Sequence, residues 1–108
     1  MPWLLRDDEV LASVEVADTS RARLRGLLGR DGIEGALLIR PAMSVHTFGM
    51  RFSLDVAFLD RDLRVLAVKH MRPWRVSTAR LRSRAVLEAE AGAFERWKLA
   101  VGDVLEVR

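Results

Sequence analysis

The sequence contains no cysteine. Disulfides, thiolate metal ligands and cysteine nucleophiles are therefore excluded, as suits a reducing compartment. Tyrosine is also absent, and the 108 residues include only two histidines and three prolines. Two imidazoles without a His-x-x-x-His spacing give no basis for a zinc site. His46 with Met43 or Met50 is at most a soft set for a cuprous ion, and the methionines read better as core filler. No metal and no cofactor are expected. No apolar run approaches the roughly 18 residues that cross a bilayer. The apolar stretch of MPWLLRDDEV is too short for the core of a signal peptide. The expectation is a cytoplasmic chain with no membrane partner. Glycine-rich phosphate loops, Gly-x-Ser-x-Gly elbows, zinc fingers and helix-turn-helix patterns are missing as well.

What is present is a globular composition, 50% hydrophobic and 31% charged. It suits one domain, residues 1–108, with a modest core. The net charge is +3, and the pI near 10.5 owes more to arginine's high pKa than to charge excess. The distribution says more. From Arg64 to Arg84 there are seven basic residues and no acid, whereas Glu88 to Glu95 holds three acids and no base.

Alternation makes Val10 to Ala17 a half-buried strand. Asp18, Thr19 and Ser20 offer N-cap oxygens for a helix to about Leu28, with Leu24, Leu27 and Leu28 as its apolar stripe and Gly29 at its end. Gly26 then falls inside the helix. Ala36 to Ile39 is a short strand stopped by Pro41. After a bend at Gly49, Phe52 to Leu59 is a strand with Phe52, Leu54, Val56 and Phe58 on one face and Ser53, Asp55, Ala57 and Leu59 on the other. Arg64 to His70 pairs back as a hairpin across Asp60–Asp62. Trp74 to Arg84 is a basic loop. Ala85 to Glu90 is a strand, Ala93 to Lys98 a short helix, and Val104 to Val107 the last strand. The pattern predicts a mainly β fold, a compact jelly-roll-like sandwich or barrel with one or two short helices.

Polar residues with chemical potential converge on Ser44 to Asp60. Asp55 sits in an apolar strand, where an ionised carboxylate needs partners or gains proton affinity. It is either a structural latch or a site residue, and the latch is the preferred reading. His46 lies across the Gly49 bend, with Ser44, Thr47 and Ser53 as nearby hydroxyls. If the bend folds back, His46 and Asp55 form an acid/base pair. A packing role for His46 is the simpler reading. The basic segment Arg72 to Arg84 interleaves one aromatic, Trp74, and a solvated loop is preferred there over a nucleic-acid surface. Trp97 is read as a wedge fixing the second helix to the sheet.

Residues Arg23-Leu24-Arg25-Gly26-Leu27-Leu28-Gly29-Arg30, Gly35-Ala36-Leu37-Leu38-Ile39 and Ser44-Val45-His46-Thr47-Phe48-Gly49-Met50 form a recognisable series. It continues with Phe52, Asp55, Val56, Phe58, Leu59 and Asp60, then Val86-Leu87-Glu88, Ala91-Gly92 and Gly102-Asp103. In these blocks, from about Ala17 to Val107, the chain resembles domain of unknown function 192. The resemblance implies a small β-rich domain of jelly-roll-like or barrel-like form and supplies no reaction. Leu28 replaces a common methionine, Ser53 a common proline and Leu63 a common turn glycine, the last implying a differently shaped turn. The resemblance adds interest to His46, Thr47, Met50 and Asp55.

The leading expectation is a small non-enzymatic domain that binds a small ligand or a partner protein through His46, Thr47, Met50 and Asp55. A hydrolase using His46 and Asp55 as an acid/base pair is the alternative. Weak nucleic-acid binding through Arg72 to Arg84 is a third reading and is not favoured. A monomer or weak homodimer is expected.

Overall fold

Asp7 and Asp8 both take left-handed backbone angles, φ 49° and 66°, as a two-residue hairpin turn requires and as aspartate tolerates better than most residues. They join β1 (Trp3–Arg6) to β2 (Glu9–Ala17). β1 is absent from the sequence-based reading, and the Asp-Asp pair between two apolar runs was its signal. The structure is a computed structural model that describes residues 2–108.

Thr19 caps the first helix, its hydroxyl accepting a hydrogen bond from the Ala22 N–H at 3.1 Å. This helix, α1 (Ser20–Arg25), is shorter than expected because Gly26, at φ 48°, is its C-terminal cap and not an interior residue. The supposed apolar stripe is broken in consequence. Leu27 is buried, while Leu24 and Leu28 face solvent.

The segment containing α1 is the crossover between β2 and β3 (Ala36–Ile39), which pair in parallel. A parallel pair needs such a long connection. The remaining strands are β4 (Leu54–Leu59), β5 (Val65–Met71), β6 (Ala85–Glu90) and β7 (Glu106–Val107), with α2 (Ala93–Trp97) between the last two. They form one mixed seven-stranded sheet in the order β5-β4-β6-β3-β2-β1-β7. The mainly β class is as expected, but the sheet is not closed into a barrel. Among the described residues, a single bridge between Arg64 and Val104 links its two margins. That bridge also explains why β7 proper is shorter than Val104 to Val107.

Both faces of the central strands are covered, so β4 is buried at every position. One face carries Leu38, Ala57, Leu59, Leu87 and Phe94. The other carries Leu37, Val56, Phe58, Met71 and Val86, with Leu27 and Met50 packed over them. Covering the second face is an arm made by residues 43–50 and 74–80, zipped by backbone bonds from Ser77 N to Val45 O and from Arg80 N to Met43 O, both 2.9 Å. Trp97 is half-buried against the first face, its ring 5.6 Å from Phe94, which is the wedge expected of it.

The turn after β4 holds Leu63 at φ 62°, in the region glycine favours, so here a leucine carries the glycine-type conformation. Asp60 braces it. Its Oδ1 accepts from the N–H groups of Asp62 and Arg64 at 2.9 and 3.0 Å, and the Arg64 bond leads in holding its pKa below the usual aspartate value.

Gly35 enters β3 at φ 75°, and a Cβ there would lie 2.5 Å from the carbonyl oxygen of Ser13 on β2. Gly35→Ala should therefore cost about 2 kcal/mol, combining backbone strain with overpacking. Urea unfolding of the variant measures it, and an unchanged midpoint would show that β2 and β3 can separate there freely.

Candidate functional site

β6 brings a carboxyl group into the centre of the second apolar face. Glu88 lies opposite Leu37 of β3 and Val56 of β4 in the strand registers, so its side chain stands between apolar neighbours on both sides. The residue is 3% exposed. No hydrogen-bond donor among the described residues reaches its carboxylate, and what remains open of it faces a cleft. Burial alone, with no compensating cation, raises its pKa from 4.5 to about 7.

The cleft has a volume of about 310 Å³. α1 and the chain after it form one wall through Leu24, Leu27 and Leu28, and the arm forms the other through Val45, His46 and Phe48. Arg23 and Arg25 also border it. The result is an apolar slot with a polar floor, which is the usual composition of a small-molecule site. A larger hollow of about 760 Å³ lies along β2, but its acids, Glu15 and Glu34, are both exposed and Arg30 pairs with Glu15 at 3.0 Å. It holds no buried group in need of a partner.

The four residues expected to form a ligand site are divided by the sheet. His46 and Met50 line the cleft with Glu88. Thr47 lies between them in sequence but turns inward and is 0% exposed. Its hydroxyl donates to the Arg72 carbonyl at 2.6 Å and accepts from the Arg75 N–H at 2.9 Å, so it pins the arm, and its burial keeps it from the cleft.

Asp55 faces the other way. It pairs in register with Ala89, the neighbour of Glu88, so the two acids project from opposite faces. Asp55 Oδ2 accepts from the N–H groups of Gly92 and Phe94 at 2.9 and 3.1 Å, and Oδ1 lies 3.3 Å from His70 Nδ1. The acid thus ties α2 to the sheet, and its histidine neighbour is His70, not His46. The His46–Asp55 acid/base pair is not assembled. In the sequence Glu88 figures only as one of the three acids between Glu88 and Glu95 and as part of the Val86-Leu87-Glu88 block. The reasoning that singled out Asp55, an acid inside an apolar strand, applies equally to Glu88 within Ala85 to Ala89.

Together these features define a class of protein: a small mainly β domain with a mixed sheet, one face of which carries an unpaired carboxyl group beneath an apolar cleft. The chain belongs to the uncharacterised family DUF192, described as Uncharacterized ACR, whose pattern matches residues 4–107. It is 31% identical over 99 residues to a UPF0127 protein of Thermococcus sibiricus, a match covering 86% of this chain and 64% of that longer protein, so it spans less than two thirds of that relative. It is 33% identical over 98 residues to a UPF0127 protein of Pyrococcus horikoshii, covering 86% of this chain and 85% of that one. Among solved structures, a protein of unknown function from Novosphingobium aromaticivorans superposes with a TM-score of 0.81 at 23% identity, covering 97% of this chain and 82% of the other. A Sinorhizobium meliloti protein superposes with a TM-score of 0.83 at 21% identity, covering 98% and 91%. At those identities the likeness concerns the fold alone. Among the described residues, no helix is long and apolar enough to cross a membrane.

Proposed function

We propose that this domain is a small-molecule-binding module whose ligand enters the cleft above Glu88. The observation that carries this reading is a carboxyl group buried in the middle of an apolar face with no partner from the chain. The Glu88 oxygens are open only to the cleft and are largely desolvated there, so a ligand that supplies a hydrogen bond to them offsets a desolvation cost on binding. The apolar walls favour a ligand with an apolar body and one hydrogen-bonding or cationic end directed at Glu88. His46, at the wall, adds a second polar contact. Arg23 and Arg25 place positive charge beside the cleft, suited to an anionic substituent left near solvent.

A hydrolytic reading has one observation in its favour, that Ser44, His46 and Glu88 line the same cleft. No hydrogen bond joins them among the described residues, so a nucleophile–base pair is not formed, and binding is the better supported reading.

The test is a fragment library screened by amide chemical-shift mapping on isotope-labelled protein. Hits should perturb His46, Met50 and Glu88 together, and Glu88→Leu should weaken them tenfold or more. Hits that cluster elsewhere, or that bind Glu88→Leu as well as wild type, would sink the proposal.

A further inference from the structure

Trp74 has φ 65°. A bulky aromatic residue in the left-handed region is an outlier, and such strain persists only where the surroundings enforce it. Here the enforcement comes from Thr47. Its carbonyl accepts from the Trp74 N–H at 2.9 Å, and its buried hydroxyl bonds to Arg72 and Arg75 on either side of the turn. The outward product of this brace is the Trp74 side chain, and the residue is 64% exposed.

Trp74 does not stand alone. Its ring centroid is 6.3 Å from that of Phe48, which is itself 47% exposed, and Phe48 stacks on His46 at 5.2 Å. The two segments that carry these rings are joined by the bridge between His46 and Val76. A row of solvent-facing rings on a rigid, strained support has no packing role in the fold. Flanking the turn is a hollow of about 320 Å³ lined by Lys69, His70, Arg72 and Arg75. Lys69, Arg72 and Arg75 are exposed and form no salt bridge among the described residues. Arg80 differs, since its guanidinium lies over the Phe58 ring at 5.0 Å and is held against the core.

Exposed rings offer faces on which bases stack, and unpaired cations beside them match a phosphate backbone. A duplex hides the base faces, so the match is to a single strand. We propose that single-stranded nucleic acid binds this surface, with bases stacked on Phe48 and Trp74 and phosphates against Lys69, Arg72 and Arg75. The site borders the Glu88 cleft through His46 and Phe48, but it does not require that the cleft bind anything.

The experiment is fluorescence anisotropy of a labelled oligo-dT of about ten nucleotides with the full chain. Three phosphate contacts predict a slope of about −2 for log affinity against log salt, falling to about −1 or shallower in Arg72→Gln/Arg75→Gln. Trp74→Gly should weaken binding tenfold or more, while its Tm stays unchanged or rises, because glycine accepts the positive φ without strain. Phe48→Ala should weaken binding as well. The proposal is overturned if oligo-dT fails to bind at low salt, or if Trp74→Gly and Phe48→Ala bind it as wild type does. It is also overturned if the protein adsorbs to phosphatidylserine-containing vesicles and leaves oligo-dT unbound, which would make the same surface a membrane contact.

Discussion

Glu88→Gln is expected to stabilise the protein by about 3 kcal/mol above roughly pH 8 and to leave its stability almost unchanged near pH 4. The sign follows from linkage. In the unfolded chain the carboxyl group ionises around its ordinary value of 4.5, whereas in the folded protein burial holds the proton until about pH 7. Between those values the folded state binds more protons than the unfolded state, so stability falls as pH rises. Below the lower value both states are protonated and the group costs little. Above the upper value both are ionised, and the full penalty of a charge buried between Leu37 and Val56 is present. The shift corresponds to roughly 3 kcal/mol at about 1.4 kcal/mol per pH unit. Glutamine has nearly the same shape and never ionises, so it removes the penalty where there is one and changes little where there is none. Urea unfolding of both proteins across this range, read as their difference, cancels the carboxylates they share. A difference that does not grow with pH would mean that water or a neighbouring group solvates Glu88 in the folded state. A gain of the expected size would show a group kept against the stability of the fold, the behaviour expected of a functional residue.

The boundaries of β3 and β6 were readable in the sequence because each is a short, largely apolar run ended by a turn or by polar residues, whereas β4 starts at Leu54, two residues after the expected Phe52. β1 was not, since four residues give little periodicity and the meaning of Asp7–Asp8 depends on a backbone angle. Ser20 to Leu28 misled for a similar reason. Gly26 and Gly29 are both plausible helix ends, and the choice rests on where Leu27 finds a core to enter. The parallel pairing of β2 and β3 leaves no local trace at all. It decides which residues share a face, and so which polar side chains can meet. His46 and Asp55 are close in sequence and separated by the sheet, whereas His46 and Glu88 are far apart in sequence and line one cleft. The aromatic row behaves likewise, since Trp74 in its basic segment looked solitary until the arm brought Phe48 and His46 beside it. Asp55 was legible as a buried acid with two possible roles, and its partners required the position of α2.

Those partners predict a large loss of stability for Asp55→Ala, roughly 3 kcal/mol or more at neutral pH. The carboxylate accepts two N–H groups from the start of α2, that of Phe94 buried, and it borders the ring of His70. Deleting it leaves both amides without an acceptor and frees the start of the helix, whose other end is still held by Arg6 on the Trp97 carbonyl and by the Arg96–Glu90 pair, each at 2.6 Å. An unsatisfied buried amide costs about 1–3 kcal/mol, and bonds to a charged acceptor lie at the stronger end. Asp55→Asn should cost less than Asp55→Ala, because its carbonyl oxygen can occupy the position of Oδ2 and accept from both amides. His70→Ala should cost under about 1 kcal/mol, since the imidazole is half exposed and surface pairs contribute little. The ranking Ala, then Asn, then the histidine variant is the discriminating result, measured by chemical unfolding with amide exchange at Gly92 and Phe94. If Asp55→Asn proved as damaging as Asp55→Ala, the negative charge rather than the acceptor geometry would be holding α2. If both were harmless, α2 would be fixed by the packing of Phe94 and Trp97 together with the Arg6 and Arg96 contacts, and the acid beneath it would be free for a role that this arrangement of hydrogen bonds does not assign.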